Sequence, residues 1–330
     1  MKIKLYFPRW VFPNNLGDSL IFTFVPRLLK YIYPNSEIEV ITYGFLIDIF
    51  KIDPDVDFVR GPNEQEIKLN YYSFHNYCYS DNQTNDIKVV VPEWHPNTFN
   101  FWKQNFKILE QHPTANIITV NYLLQLKLEN LLFSSNFDFI GRVNTLQQKN
   151  CTDNINIGIV PSTKLSGKTT PHPSCDGLGF RFNGLNGLES WKKLCNFLKK
   201  NNQKIKIFEF SPEFLNIGDY HCGYRNNIFK LFQDVDFMDY GVMTDGGVHH
   251  AFNLRNKKVF LFQASKVYKT EFLKIRNSIV PEHLLLDCRK KCPHPLSVID
   301  GEDASLTCKN ECEKLDPIKL GNFILKNISK

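Results

Sequence analysis

Apolar and polar residues follow two spacings along this chain, and the two take turns. Short apolar runs of strand length lie at Ile3–Phe7, Glu37–Thr42, Val56–Val59 and Ile87–Val91 in the first half. In the second half they lie at Ile155–Val160, Ile205–Phe210 and Lys258–Phe262, with an apolar approach at Met238–Thr244. Between them come segments of helical spacing. After the turn residues Asn14, Asn15 and Gly17, the positions Leu20, Ile21, Phe24, Val25, Leu28, Leu29 and Ile32 form one broad face and predict a helix. Further helices are predicted around Phe45–Phe50, over Asn116–Leu131, over Leu188–Lys200 with Lys199 and Lys200 at its dipole-negative end, over Asn227–Gln233, and over Pro317–Ile328. Alternation of this kind implies parallel βαβ units with right-handed crossovers. Gly61–Asp86 has no clear period and reads as an irregular insertion. The polar run ending at Asn150 suggests a boundary, giving domains 1–148 and 149–330. A single long Rossmann-type domain is the alternative left open by the pattern.

Length and composition narrow the class. At 330 residues the chain can hold two full cores, and 42% hydrophobic with 22% charged residues is ordinary for a globular protein. The net charge of +6 is diffuse, with no basic stripe interleaved with aromatics. It suits an anionic small molecule or membrane surface and argues against nucleic acid. No apolar run approaches the length needed to span a bilayer, and Pro and charge interrupt the first twelve residues before a signal-peptide core can form. The expectation is a cytoplasmic protein, with attachment to the inner membrane face left open. Nine cysteines, an odd number, then favour free thiols or metal binding over a disulfide framework. Neither a GxGxxG fingerprint nor a Walker A loop is present.

Three groups of residues could carry chemistry. Asp18 sits at the first strand-to-helix junction, where open α/β sheets bind ligands; as an Asp beside a helix N-terminus it also suits an N-cap. The stretch Thr244–His250, TDGGVHH, places two glycines after Asp245, which lets backbone N–H groups approach a phosphate; Asp245 and His250 stand five residues apart astride that turn. A plain Asp-Gly surface turn is the competing explanation. Cys288 and Cys292, with Cys308 and Cys312, form two pairs that could close a tetrahedral zinc or iron site, though buried free thiols or disulfides would give the same pattern. Cys78, Cys151, Cys175, Cys195 and Cys222 are scattered and read as ordinary thiols.

The early segment NNLGDSLIFTFVPRLLKYIYPNSEIEVIT and the late segment MTDGGVHHAFNLRNKKVFLFQAS together resemble glycosyltransferase family 9, the lipopolysaccharide heptosyltransferases. Gly17-Asp18, Thr23, Pro26, Leu28 and Tyr33-Pro34 match in the first segment; Asp245, Gly247 and His250 match in the second. Gly246 stands where the family has a hydroxyl residue, and Lys258 where it has Pro.

The resemblance implies the GT-B plan: two Rossmann-like domains facing a cleft, with a C-terminal helix returning toward the first. It implies an inverting, metal-independent transfer of a sugar, usually heptose from ADP-heptose, to a surface-glycan or protein acceptor. The N-terminal domain would take the acceptor and the C-terminal domain the nucleotide sugar. Asp18 then matches the general base. Gly246, Gly247 and His250 fall at the donor diphosphate, joined by a cation from the Thr163–Phe182 loop (Lys164 first, then Lys168 and Arg181), with Asp245 at a ribose or sugar hydroxyl of the donor and Glu213 at the nucleoside. Trp94 and His95, in PEWHPNTF, are candidates for the acceptor side. Some members carry a cysteine-bound metal near the end where the four cysteines lie. A transferase using a UDP- or GDP-sugar, and a non-catalytic scaffold of the same fold held by a cysteine metal site, are the rival expectations.

Overall fold

The computed structural model describes residues 1–7, 16, 20, 22–68, 78–80, 87–90, 128, 137, 141–142, 153–161, 187–211, 214–223, 227–243, 247–261, 278–279, 281, 284 and 316–328. The chain forms two compact units: Met1–Leu146 with Asn226–Phe229, and Gln147–Arg225 with Lys230–Lys330. Each is built on its own sheet, so the described strands do not form one long Rossmann-type domain.

In the first unit the strands are β1 (Lys2–Tyr6), β2 (Glu37–Ile41), β3 (Phe58–Arg60), β4 (Cys78–Ser80) and β5 (Ile87–Val90), in the order β3-β2-β1-β5-β4. All neighbours are parallel except β4 against β5. Helices α1 (Val25–Ile32) and α2 (Phe45–Lys51) form the crossovers β1→β2 and β2→β3, and a short α3 (Glu64–Lys68) follows β3. Two expectations need correction here. The apolar face from Leu20 to Ile32 is not one continuous helix: a 3-10 turn at Phe22–Phe24 precedes α1. Pro26, in the first turn of α1, has no N–H to give to the preceding turn, so the regular helix starts afresh there. Gly61–Asp86 is not wholly irregular either, since it holds α3 and β4. A three-residue edge strand has no internal period, and only pairing with β5 reveals it.

The second unit has β6 (Ile155–Val160), β7 (Ile205–Glu209), β8 (Tyr220–His221), β9 (Tyr240–Met243), β10 (Lys258–Leu261) and β11 (Ser278–Ile279). All are parallel, in the order β11-β10-β9-β6-β7-β8. Its helices are α4 (Gly187–Asn201), α5 (Ile228–Phe237), α6 (Gly247–Leu254) and α7 (Pro317–Asn327). Every residue of β6 is buried, as befits a central strand covered on both faces. On one face, Ile155, Ile157 and Ile159 pack with Trp191, Leu194 and Leu198 of α4 and with Leu320 and Ile324 of α7. The closing helix, expected to return toward the first domain, makes its core contacts with α4 in the second unit. Asp316 caps it, its carboxylate accepting from the amides of Ile318 and Lys319 at 2.8 and 3.4 Å.

Candidate functional site

Strand order singles out one place in each sheet. In the second unit the chain lays down β6, β7 and β8 in one direction, then returns to place β9, β10 and β11 on the other side of β6. The order therefore reverses between β6 and β9, and the crevice beyond the carboxyl ends of such strands is where open α/β sheets bind ligands. In the first unit the reversal falls between β1 and β5.

β9, one of the two strands at the reversal in the second sheet, is followed in the chain by α6. Gly247 opens the helix, and His250 lies one turn on and is buried. The N-terminal end of a helix carries partial positive charge, which favours an anionic group beside this turn. Its neighbour His249, only 1% exposed, ties the helix to the sheet edge. The His249 Nε2 lies 3.3 Å from Ser278 Oγ on β11, and its ring sits 5.1 Å from that of His250.

What seats α6 so close to the sheet is a pair of glycines. Gly158 of β6 and Gly241 of β9 are register partners. A Cβ on Gly158 would lie 2.7 Å from Phe252 Cζ and 2.8 Å from Phe210 Cε2; one on Gly241 would lie 3.0 Å from Phe252 Cδ1. Phe252, on α6, fills the space their missing side chains leave, edge-on to Phe210 with ring centroids 5.4 Å apart. Glycine inside a strand commonly signals such an approach, and the patterns INIGIV and YGVM carried that signal. Below this, Arg255 grips Asp236 through Nε at 2.7 Å and Nη2 at 2.6 Å, while Lys257 Nζ donates to the carbonyls of Asp236 and Met238. This bidentate pair fixes the far end of α6 to the end of α5.

A further feature went unnoticed in the sequence. Glu209 closes β7 and is fully buried, and its carboxylate accepts four hydrogen bonds from the loop that comes after it. The signal was a charge inside the apolar run IKIFEF.

At the carboxyl edge of the first sheet, Arg60 holds α3 in place. Its guanidinium donates to both Glu66 oxygens, at 2.7 and 2.9 Å, and to Glu39 at 2.8 Å; the Tyr6 hydroxyl donates to Glu66 at 3.2 Å. The Arg60 contact holds the Glu66 carboxyl below its usual range. Thr23, one of the residues carrying the family resemblance, is fully buried and donates to the Leu20 carbonyl at 2.7 Å. Gly141 lies so close that a Cβ there would overlap the Thr23 side chain.

Of the residues singled out in the sequence, Gly247 and His250 are described, and they share the first turn of α6. Asp18, Trp94, His95, Lys164, Lys168, Arg181, Glu213, Asp245, Gly246, Cys288, Cys292, Cys308 and Cys312 lie outside the described residues. Their places in the order of strands are nonetheless defined. Asp18 is in the segment leaving β1, and Trp94 and His95 are in the one leaving β5. Lys164 comes after β6, Glu213 after β7 and Asp245 after β9. Among the described residues no group of three or more His, Cys, Asp or Glu side chains could hold a metal ion. No described helix is long and apolar enough to cross a membrane. Cys195 and Cys222 are buried free thiols, both pushed up to about 12 by burial.

No protein-family model matches the chain, and no curated protein matches its sequence. Solved structures match its fold. The glycosyl transferase family 9 protein from Veillonella parvula DSM 2008 superposes with a TM-score of 0.58 at 12% identity, over 99% of this chain and 98% of that one. ADP-heptose lps heptosyltransferase II of E. coli gives 0.53 at 12% identity, over 93% and 99%. The iron-containing dodecameric glycosyltransferase TibC of enterotoxigenic E. coli H10407 gives 0.55 at 11% identity, over 98% of this chain and 75% of that one. TibC has also been solved in complex with ADP-D-beta-D-heptose. At these identities the shared property is the fold: mixed α/β with two parallel sheets, as in the family 9 and heptosyltransferase structures.

Proposed function

We propose that this chain is a family 9-like glycosyltransferase that moves a sugar from a nucleotide-sugar donor to a glycan or protein acceptor with inversion. The observation that carries the reading is the first turn of α6, with Gly247 and His250 set at the strand-order reversal of the second sheet. The match of fold to glycosyltransferases, one of them solved with ADP-D-beta-D-heptose, supports an ADP-sugar and heptose as the first donor to test.

In this reading the first domain takes the acceptor and the second the donor. The acceptor oxygen attacks the anomeric carbon, the bond from that carbon to the diphosphate breaks, and the acceptor proton passes to Asp18. General base catalysis supplies roughly 10²–10⁴-fold. The larger demand is the charge on the departing diphosphate, which fixed N–H dipoles and basic groups stabilise best in a dry site. Gly246, Gly247, His250 and Lys164 serve there, with Asp245 on a donor hydroxyl and Glu213, in the segment leaving β7, at the nucleoside. Trp94 and His95 contact the acceptor. No metal takes part in the transfer. Cys288, Cys292, Cys308 and Cys312 fit a structural zinc or iron by their chemistry, since four thiolates complete a tetrahedron and leave no open position for substrate. The protein works in the cytoplasm and takes no nucleic-acid partner.

Thermal-shift titration with ADP, UDP and GDP tests the donor. A nucleotide at a hundred times its Kd stabilises the native state by about 2.7 kcal/mol, so the matching one raises the melting point by several degrees. Failure of all three to bind would remove the transferase reading and favour a scaffold. Asp18→Ala should leave that binding intact and abolish transfer; an unchanged rate removes Asp18 as the base.

A further inference from the structure

The buried carboxylate at the end of β7 is the candidate the structure carries furthest. Glu209 has no exposed surface, and the hydrogen-bond donors around it come from one short stretch of chain. Oε1 accepts from Ser211 Oγ at 2.5 Å and from the Leu215 amide at 2.6 Å. Oε2 accepts from the Ile217 amide at 3.0 Å and the Gly218 amide at 3.4 Å. The carboxylate thus meets four donors, and Ser211, Leu215, Ile217 and Gly218 are gathered around a single side chain.

The backbone shows why such a gathering is needed. β7 and β8 are adjacent and parallel, yet Phe210–Asp219 joins them with no described helix, shorter than the usual parallel crossover. The chain must turn back sharply and return along β7. Asn216 adopts a left-handed φ of 58° on the way. Gly218 then passes so close to β7 that a Cβ would lie 3.1 Å from both Glu209 Cβ and the Ile207 carbonyl. Asp219 completes the return: its amide donates to the Ile207 carbonyl at 2.8 Å, and its carboxylate accepts from the Ile207 amide at 2.9 Å and from Lys199 Nζ at 2.8 Å. The described residues 210–211 and 214–219 thus lie together along β7, as the ends of compact functional loops do. It stands at the carboxyl end of β7, beside the strand-order reversal. Its described surface includes Phe214, 46% exposed, with its ring 5.4 Å from that of His221, whose Nε2 lies 2.9 Å from the Ser211 carbonyl.

We propose that Glu209 is a positioning residue for donor binding: it holds Ser211 and residues 214–218 so that this stretch meets the nucleoside of the nucleotide-sugar. The inference rests on the transferase reading above, since that reading assigns the nucleoside to the segment leaving β7. Glu209 itself touches no substrate; it acts through the loop amides it holds. A buried carboxylate suits the role because it fixes several amides at once, where a hydroxyl or amide side chain would satisfy fewer.

The test is Glu209→Gln, which keeps the shape and sets an NH2 group against amides that also donate. Nucleotide affinity is measured by titration with ADP, UDP and GDP, below the melting transition, alongside amide hydrogen exchange. The expected result is faster exchange at Leu215, Ile217 and Gly218, unchanged exchange in β6 and β9, and nucleotide binding weakened up to about tenfold, the loss that one displaced hydrogen bond costs. A purely structural role would lower the melting point and leave affinity in the folded protein alone. Faster loop exchange with wild-type affinity therefore overturns the inference and leaves the transferase reading standing. Wild-type protein that binds none of the three nucleotides overturns both. If Glu209→Gln does not fold, Ser211→Ala serves: it removes the hydroxyl bond and keeps the three amide bonds. A fewfold loss of affinity supports the inference, and no loss overturns it.

Discussion

Replacing Gly158 by alanine tests how α6 is seated. The new Cβ would lie 2.7 Å from Phe252 Cζ and 2.8 Å from Phe210 Cε2, well inside carbon–carbon contact distance. Both neighbours are buried rings packed edge to face, so neither can swing away as a flexible chain end would. Overpacking a filled core costs about 1–3 kcal/mol. Against this, an alanine in extended backbone restricts the unfolded chain and returns about 0.4–1 kcal/mol. The net expectation is a loss of about 1.5 kcal/mol, or a melting point lower by about 3–6 °C for a domain of this size. Urea denaturation of the single variants and of the Gly158→Ala/Phe252→Leu pair closes a double-mutant cycle. Because Phe252 supplies one of the two close contacts, the two substitutions should couple by about 1 kcal/mol, the glycine replacement costing less beside the smaller, flexible leucine. Gly158→Ala as stable as wild type would refute the reasoning, as would an equal penalty in both backgrounds. The same variant should weaken nucleotide binding, since Gly247 and His250 ride on the helix that Phe252 anchors.

Burial pushes the Asp53 carboxyl up to about 7, so the native state keeps a proton that the unfolded chain loses near pH 4. Stability should therefore fall as pH rises from about 4 to 7 and then level off, and Asp53→Asn should flatten that slope in denaturation curves between pH 5 and 8. Arg255→Lys cannot reproduce the two-pronged grip on Asp236, and its expected cost is about 1–3 kcal/mol by urea denaturation, with Arg255→Ala worse because it strands a largely buried carboxylate. Cys195 and Cys222 should resist thiol reagents in the folded protein and react on unfolding, which peptide mapping after labelling resolves. Metal analysis should find one zinc or iron per chain, lost on replacing Cys288 and Cys292 together by serine; metal-free native protein would exclude the site.

Local pattern alone settled much of the architecture. A short, largely apolar run such as INIGIV, bounded by polar residues, has the length and β-branched content of a buried strand, and the helical face of α4 comes from spacing along LESWKKLCNFLKK. The start of α6 was legible for a similar reason, because Gly247 and His250 lie within the seven consecutive residues Thr244–His250. The features beyond the reach of pattern depend on neighbours distant in sequence. The edge strands β4, β8 and β11 have two or three residues each and exist through their partners. Pro26 divides a stripe that periodicity reads as unbroken. Gly158 and Gly241 look like weak points in their strands until the register sets them side by side beneath Phe252. Glu209 looks misplaced in an apolar strand until the returning loop supplies its donors. Spacing fixes which face a residue occupies, but only the folded chain determines what meets it there, and the seating of α6 and the shape of the 211–218 loop are both contacts of that second kind.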